Sequence, residues 1–161
     1  MICTSYALAD WVTVNAAYQC NKENNTFSLH ATTDSSNPDL PGTIAIARGF
    51  ISLIDGEQVI ECIINKTKIK TKIQRTAPSS SGFCGAMGYI HIFTFSINGN
   101  LILREPNEYK FNSSCTSKDN PMLFSIEVKA NNKIPEAKLC RGVWTWENGY
   151  TNIHCEKEEI R

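Results

Sequence analysis

Residues 58–75 read Gln58-Val59-Ile60-Glu61-Cys62-Ile63-Ile64, then Asn65-Lys66, then Thr67-Lys68-Ile69-Lys70-Thr71-Lys72-Ile73-Gln74-Arg75. Two runs rich in β-branched residues stand two residues apart, the spacing of a tight β-hairpin. The second run alternates strictly, which turns Ile69 and Ile73 inward. Lys66, Lys68, Lys70 and Lys72 fall on the opposite parity. An antiparallel strand with one wet face accounts for them; contact with phosphate or polysaccharide is the other use such a row can have.

The same grammar extends in both directions. Trp11 to Cys20 reads as a strand, and Phe27, Leu29 and Ala31 alternate with Ser28, His30 and Thr32 in a second. Asp34 to Gly42 carries the residues of a loop, Thr43 to Ala47 reads as a short strand, and Phe50 to Ile54 as a short helix or strand before a turn at Asp55-Gly56. Ala77 to Gly88 is a long Pro/Ser/Gly loop. Tyr89 to Ile97 is the most apolar strand, with Tyr89, His91, Phe93 and Phe95 on one face and Ile90 and Ile92 on the other. An apolar character on both faces suits a central position. Asn98-Gly99 is a hairpin signal, with Leu101 to Leu103 returning. Pro106 to Pro121 reads as a polar loop, Leu123 to Lys129 as a strand, and Asn131-Asn132 as a turn before Ala137 to Cys140. Val143 to Trp146 and Thr151 to Cys155 form a last hairpin, and Glu156 to Arg161 a frayed charged tail. There is no repeat, low-complexity tract or useful helical stripe. The expected fold is all-β: an antiparallel sandwich or partly open barrel, stapled by disulfides.

The chain has 161 residues, the size of one domain. Sixteen basic residues balance sixteen acidic ones, so no net field gathers nucleic acid or an anionic membrane. No apolar run is long enough to span a bilayer.

Seven cysteines sit at 3, 20, 62, 84, 115, 140 and 155. None forms a CxxC pair, which argues against a zinc ribbon or a thioredoxin-type motif. Spread cysteines suit a disulfide framework in an oxidising compartment. Ala7-Leu8-Ala9 before Asp10 has the small-x-small form of a signal-peptidase site. Cleavage there removes Cys3 and leaves six. The domain reading is a signal-peptide remnant over 1–9 and a single β domain over 10–161. Cys140 and Cys155 flank the last hairpin and are the best pairing; Cys20–Cys62 and Cys84–Cys115 follow by proximity. Asn24, Asn65 and Asn112 head Asn-x-Ser/Thr sequons, which occur at this number by chance in a chain so rich in Asn, Ser and Thr.

Catalytic chemistry finds little foothold. His30, His91 and His154 stand in no nucleophile-elbow context, and no pair of them has metal-ligand spacing. Gly82-Phe83-Cys84-Gly85-Ala86-Met87-Gly88 lacks the lysine of a phosphate loop. No metal or other cofactor is expected.

Two features point to binding. In the loop around Ser81, Gly82, Phe83 and Met87, ending at Tyr89, Cys84 is placed to act as an anchor. Pinning a loop lowers the entropy lost when its apolar residues enter a partner; the alternative is a crossover whose Phe83 and Met87 cap the core. Trp144, Trp146 and Tyr150 are the second. Exposed, they make a protein hot spot or a sugar platform; buried, they are core.

The stretch Ser81-Gly82-Phe83-Cys84-Gly85-Ala86-Met87-Gly88-Tyr89, with Trp144-Thr145-Trp146 later, resembles the periplasmic lysozyme inhibitors of bacteria. Glu147 stands where those proteins carry a lysine. The whole chain also resembles small uncharacterised exported bacterial proteins. The inhibitor resemblance implies a small secreted β protein that blocks a cell-wall-degrading enzyme. The functional expectation is therefore a non-catalytic periplasmic or secreted binding protein whose partner is another protein, an inhibitor or immunity protein in its most concrete form. A carbohydrate-binding or adhesion module, and an enzyme with an unrecognised site near His30 or His154, are the alternatives.

Overall fold

The computed structural model describes residues 12–35, 51–52, 56–75, 90–103, 110–111, 121–131, 133–145 and 149–160. Every regular element among them is a strand: β1 (Val12–Asn21), β2 (Thr26–Ser35), β3 (Ile51–Ser52), β4 (Gly56–Ile64), β5 (Thr67–Arg75), β6 (Ile90–Ile97), β7 (Asn100–Leu101), β8 (Lys110–Phe111), β9 (Met122–Lys129), β10 (Glu136–Thr145) and β11 (Gly149–Glu159). The expected strand over Thr43 to Ala47 lies outside the described residues.

The strands form two antiparallel layers. One runs β3-β1-β2-β9, with β10 and β11 continuing beyond β9. The other runs β4-β5-β6, with β7 and β8 both on β6. A single parallel pairing of Phe111 in β8 with Leu123 in β9 links them. β1 and β2 pack over β4 and β6. The path's two ends, β3 and β4, are not hydrogen-bonded to each other, so the arrangement is a sandwich and not a closed barrel.

Alternation builds the core. In β4, Ile60, Cys62 and Ile64 are buried while Val59, Glu61 and Ile63 are exposed. In β5, Ile69 and Ile73 face inward as the sequence requires, with Thr67 and Thr71 beside them. The buried Thr71 hydroxyl donates to the Thr94 carbonyl oxygen at 2.8 Å, which removes the cost of an unpaired polar group in the core. From the facing layer come Phe27, Leu29, Ile126, Val128, Ala137 and Leu139. Phe27 of β2 meets Phe95 of β6 across the layers, ring centroids 6.1 Å apart and tilted, a favourable geometry for opposed ring quadrupoles.

Two expectations about faces are corrected by bulges. Lys72 pairs with Thr94, but Ile73 pairs with Ile92, so Phe93 is an extra residue on β6. The extra residue shifts the parity, and Ile92 and Phe95 both enter the core although the sequence pattern set them on opposite faces. On β9, Cys140 pairs with Ser125 and Arg141 with Leu123, leaving Phe124 as the extra residue.

Other boundaries also differ. β10 runs unbroken from Glu136 to Thr145, where the sequence suggested two pieces; a register shift between Arg141 and Val143 carries it through Gly142. A two-residue strand, β8, lies within the expected Pro106–Pro121 loop. The frayed tail is not seen over 156–159: β11 continues to Glu159, opposite Glu136. Lys157 Nζ lies 3.2 Å from Glu136 Oε1, the Ile160 amide donates to the Pro135 carbonyl oxygen, and Ile160 packs against the core.

Two disulfides are formed. Cys20–Cys62 joins β1 to β4, hence one layer to the other. Cys140–Cys155 joins directly opposed residues of β10 and β11. Both are pairings expected from the sequence; Cys84 and Cys115 lie outside the described residues. These cross-links, with no helix among the described residues long and apolar enough to cross a membrane, are compatible with an extracellular protein.

Candidate functional site

The register divides the sandwich into two ends. At one, the β1–β2 turn (22–25), the β4–β5 turn (65–66), the β6–β7 turn (98–99) and the β9–β10 connection come together. The Ala130 amide donates to the Asn25 carbonyl oxygen, and Asn65 Nδ2 donates to the Ala130 carbonyl oxygen at 2.6 Å. At the other end stand Ser35, Arg75, Ile90, Phe111 and Thr145, the strand ends that hand the chain to its longer connections.

Of the residues the sequence singled out, Ser81, Gly82, Phe83, Met87, Tyr89 and Trp146 lie outside the described residues. The strand ends flanking residues 76–89, Arg75 and Ile90, pair with each other. Trp144 sits directly opposite Tyr150 in the β10–β11 hairpin, one position before Thr145 opposite Gly149. The Trp144–Tyr150 pair and the gate to residues 76–89 therefore belong to the same end of the sandwich.

The sequence did not anticipate a cross-strand row over the outer face of the first layer. His30 of β2 is opposite Ser125 of β9, Ser125 is opposite Cys140 of β10, and Cys140 is opposite Cys155 of β11. Opposed residues share a face. Ser125 Oγ and His30 Nδ1 are 2.9 Å apart. Burial lowers the pKa of His30, and the negative charge of Glu127 partly counters that, so the imidazole is neutral at pH 7 and forms one half of a hydroxyl–imidazole hydrogen bond. A hydroxyl beside an imidazole is the first requirement of a nucleophile–base couple. The other requirements sit badly here. Ser125 is 8% exposed, and both strands are paired on each side, which commits the amides an oxyanion hole would use.

His154 lies elsewhere. It is opposite Arg141, one residue out of step with the His30 row, and so projects from the other face. Its Nε2 is 3.5 Å from Glu156 Oε1, and Arg141 Nη1 is 3.4 Å from Glu156 Oε2. His30 and His154 do not converge. Among the described residues no three His, Cys, Asp or Glu side chains gather as a metal-ligand set.

The lysine row is a solvated face. Lys70 Nζ lies 3.0 Å from Glu61 Oε1 and Lys72 Nζ 2.9 Å from Glu57 Oε1, both across the β4–β5 hairpin. Lys70, with Lys68 nearby, holds the exposed Glu61 carboxyl below its ordinary pKa. Lys66 departs from this row: it lies in the turn, with φ of 65°.

That turn lines a groove of about 400 Å³ formed by Asn65, Lys66, Thr67, Asn98, Asn131 and Lys133. A second groove of about 560 Å³ lies between the β6–β7 hairpin and the end of β11, lined by Gly99 to Ile102 and Glu158 to Ile160. Sequence reading saw Asn65-Lys66, Asn98-Gly99 and Asn131-Asn132 only as three separate turns. The signal that unites them is topological, because hairpins with matched registers deliver their turns to one end.

Comparison with known family models, curated proteins and solved structures returned no match.

Proposed function

We propose that this chain is a non-catalytic binding protein of the periplasm or cell exterior that takes a protein partner, most concretely an inhibitor of, or immunity protein against, a cell-wall-degrading enzyme. The observation that carries this reading is the backbone register: Trp144 opposite Tyr150 stands at the same end as the Arg75–Ile90 pair that flanks residues 76–89. Two aromatics on a disulfide-closed hairpin, beside a loop carrying Phe83 and Met87, supply the rigid apolar anchors of which binding hot spots are made. Cys140–Cys155 closes that hairpin, and Cys20–Cys62 fixes the layers beneath it, so the surface is organised before contact and less entropy is lost on binding. The mechanism is steric: the loop fills the enzyme's cleft and displaces water from it.

The test is inhibition of a muramidase acting on cell-wall suspensions, followed by turbidity. The expected result is stoichiometric inhibition, relieved by Phe83→Ala with Met87→Ala and by Trp144→Ala with Tyr150→Ala. Unchanged lysis at excess protein, across muramidase, amidase and peptidase classes, would overturn this reading.

A further inference from the structure

The groove at the turn end lies opposite the end assigned above to a protein partner, and its lining has a definite chemistry. Asn65, Lys66, Thr67, Asn98, Asn131 and Lys133 include two ammonium groups and three carboxamides but no carboxylate. Lys66 and Lys133 are exposed and, among the described residues, form no ion pair, in contrast to Lys70, Lys72, Lys129 and Lys157, each bridged to a glutamate.

Two of the carboxamides are held in fixed orientation by the backbone. Asn65 Nδ2 donates to the Ala130 carbonyl oxygen at 2.6 Å, which leaves Asn65 Oδ1 as the atom to accept from a ligand. Asn98 Oδ1 accepts from the Lys68 amide at 2.8 Å, which leaves Asn98 Nδ2 as the donor. The Asn98 amide in turn donates to the Lys68 carbonyl oxygen, so this turn is tied at both groups. The positive φ values of Asn65, Lys66 and Asn98 belong to the same tight turns.

A bare oxyanion such as phosphate is satisfied by donors alone and has no hydrogen for Asn65 Oδ1 at full ionisation. A neutral sugar supplies hydroxyls for the carboxamides but leaves the two ammonium groups without a counter-charge. A sugar acid meets both demands: its carboxylate accepts from Lys66 and Lys133, and its hydroxyls donate to Asn65 Oδ1 and accept from Asn98 Nδ2. About 400 Å³ is at the small end of ligand-pocket sizes and suits one or two pyranose rings. We infer that the groove between the β4–β5, β6–β7 and β9–β10 turns binds the carboxylate-bearing residues of an acidic polysaccharide. The groove carries no aromatic side chain for stacking, so affinity rests on charge and hydrogen bonds and falls as salt rises.

The experiment titrates the ¹⁵N-labelled full chain with a galacturonic acid trimer, the corresponding neutral galactose trimer and inorganic phosphate, reading amide shifts at low and physiological salt. The expected result is saturable shifts at Asn65, Lys66, Thr67, Asn98, Asn131 and Lys133 with the uronate, weakened by salt, with at least tenfold weaker binding of the other two probes. Lys66→Gln with Lys133→Gln should weaken the uronate about tenfold, the loss of one charge-assisted contact, while spectral dispersion elsewhere is retained. Single replacements at either position give intermediate losses. Equal binding of the neutral trimer would refute the charge argument, and equal binding of phosphate would refute the hydroxyl argument. Absence of shifts with the uronate, or an unaffected double variant, would overturn the site. None of these results bears on inhibition of a cell-wall hydrolase, which uses the opposite end.

Discussion

Replacing Cys20 and Cys62 together by alanine removes the one covalent link between the two layers seen among the described residues. The cysteines are 42 residues apart in sequence, and releasing a loop of that length restores about 4 kcal/mol of conformational entropy to the unfolded chain. The folded state loses too, because Cys62 is 2% exposed and belongs to the core with Ile60 and Ile64, where a missing sulfur leaves unfilled space. For a domain of this size, about 4 kcal/mol lowers the melting temperature by roughly 8–16 °C. The companion variant, Cys140→Ala with Cys155→Ala, opens a span of 15 residues, for which the same reasoning gives about 3 kcal/mol. It leaves no core cavity, since Cys155 is exposed on the edge strand β11. Urea unfolding under non-reducing conditions should rank wild type above Cys140→Ala/Cys155→Ala, and that above Cys20→Ala/Cys62→Ala. The denaturant slope should rise in both variants as the unfolded chain expands. A loss below about 1 kcal/mol for Cys20→Ala/Cys62→Ala, or the reverse ranking, would refute the claim that this bond staples the layers.

Three further outcomes follow from the packing. Phe95→Ala empties the inter-layer contact with Phe27 and should cost about 3–5 kcal/mol by the same urea assay. Gly142→Ala places a methyl 3.1 Å from the Thr151 carbonyl oxygen and 3.3 Å from Phe124 Cε1; the carbonyl belongs to a paired strand and cannot retreat, so a loss of about 1–3 kcal/mol is expected. For His30, burial places the folded pKa below its ordinary value of about 6.5. The unfolded chain then binds the proton more readily, so this contribution is whole above about pH 6.5 and is lost as pH falls through the folded pKa. His30→Gln should flatten that part of the stability–pH curve, and a slope equal to wild type would show that His30 is not its source.

Much of the fold was legible because it is written in alternation and turns. The hairpins at Asn65-Lys66 and Asn98-Gly99 are local, and their residues accept positive φ. Both disulfides now seen paired cysteines whose strands the pattern had located. What escaped reading depends on partners distant in sequence. The extra residues Phe93 and Phe124 look like any other strand residue, and only the register of the neighbouring strand reveals them. Glu156 to Glu159 looked like a solvated tail because charge dominates there; pairing with β10 and the burial of Ile160 hold it in place. The groove at the turn end was invisible for the same reason, since Asn65, Asn98 and Asn131 become neighbours only once both layers are stacked. The His30–Ser125 pair likewise joins residues 95 positions apart.

The most direct test of the stapled sandwich is non-reducing peptide mapping of the native protein by mass spectrometry, with free thiols alkylated before digestion. The account predicts one linked pair holding Cys20 and Cys62 and another holding Cys140 and Cys155. Alkylated thiols at any of these four positions, or Cys20 joined to Cys140 or Cys155 in place of Cys62, would contradict it.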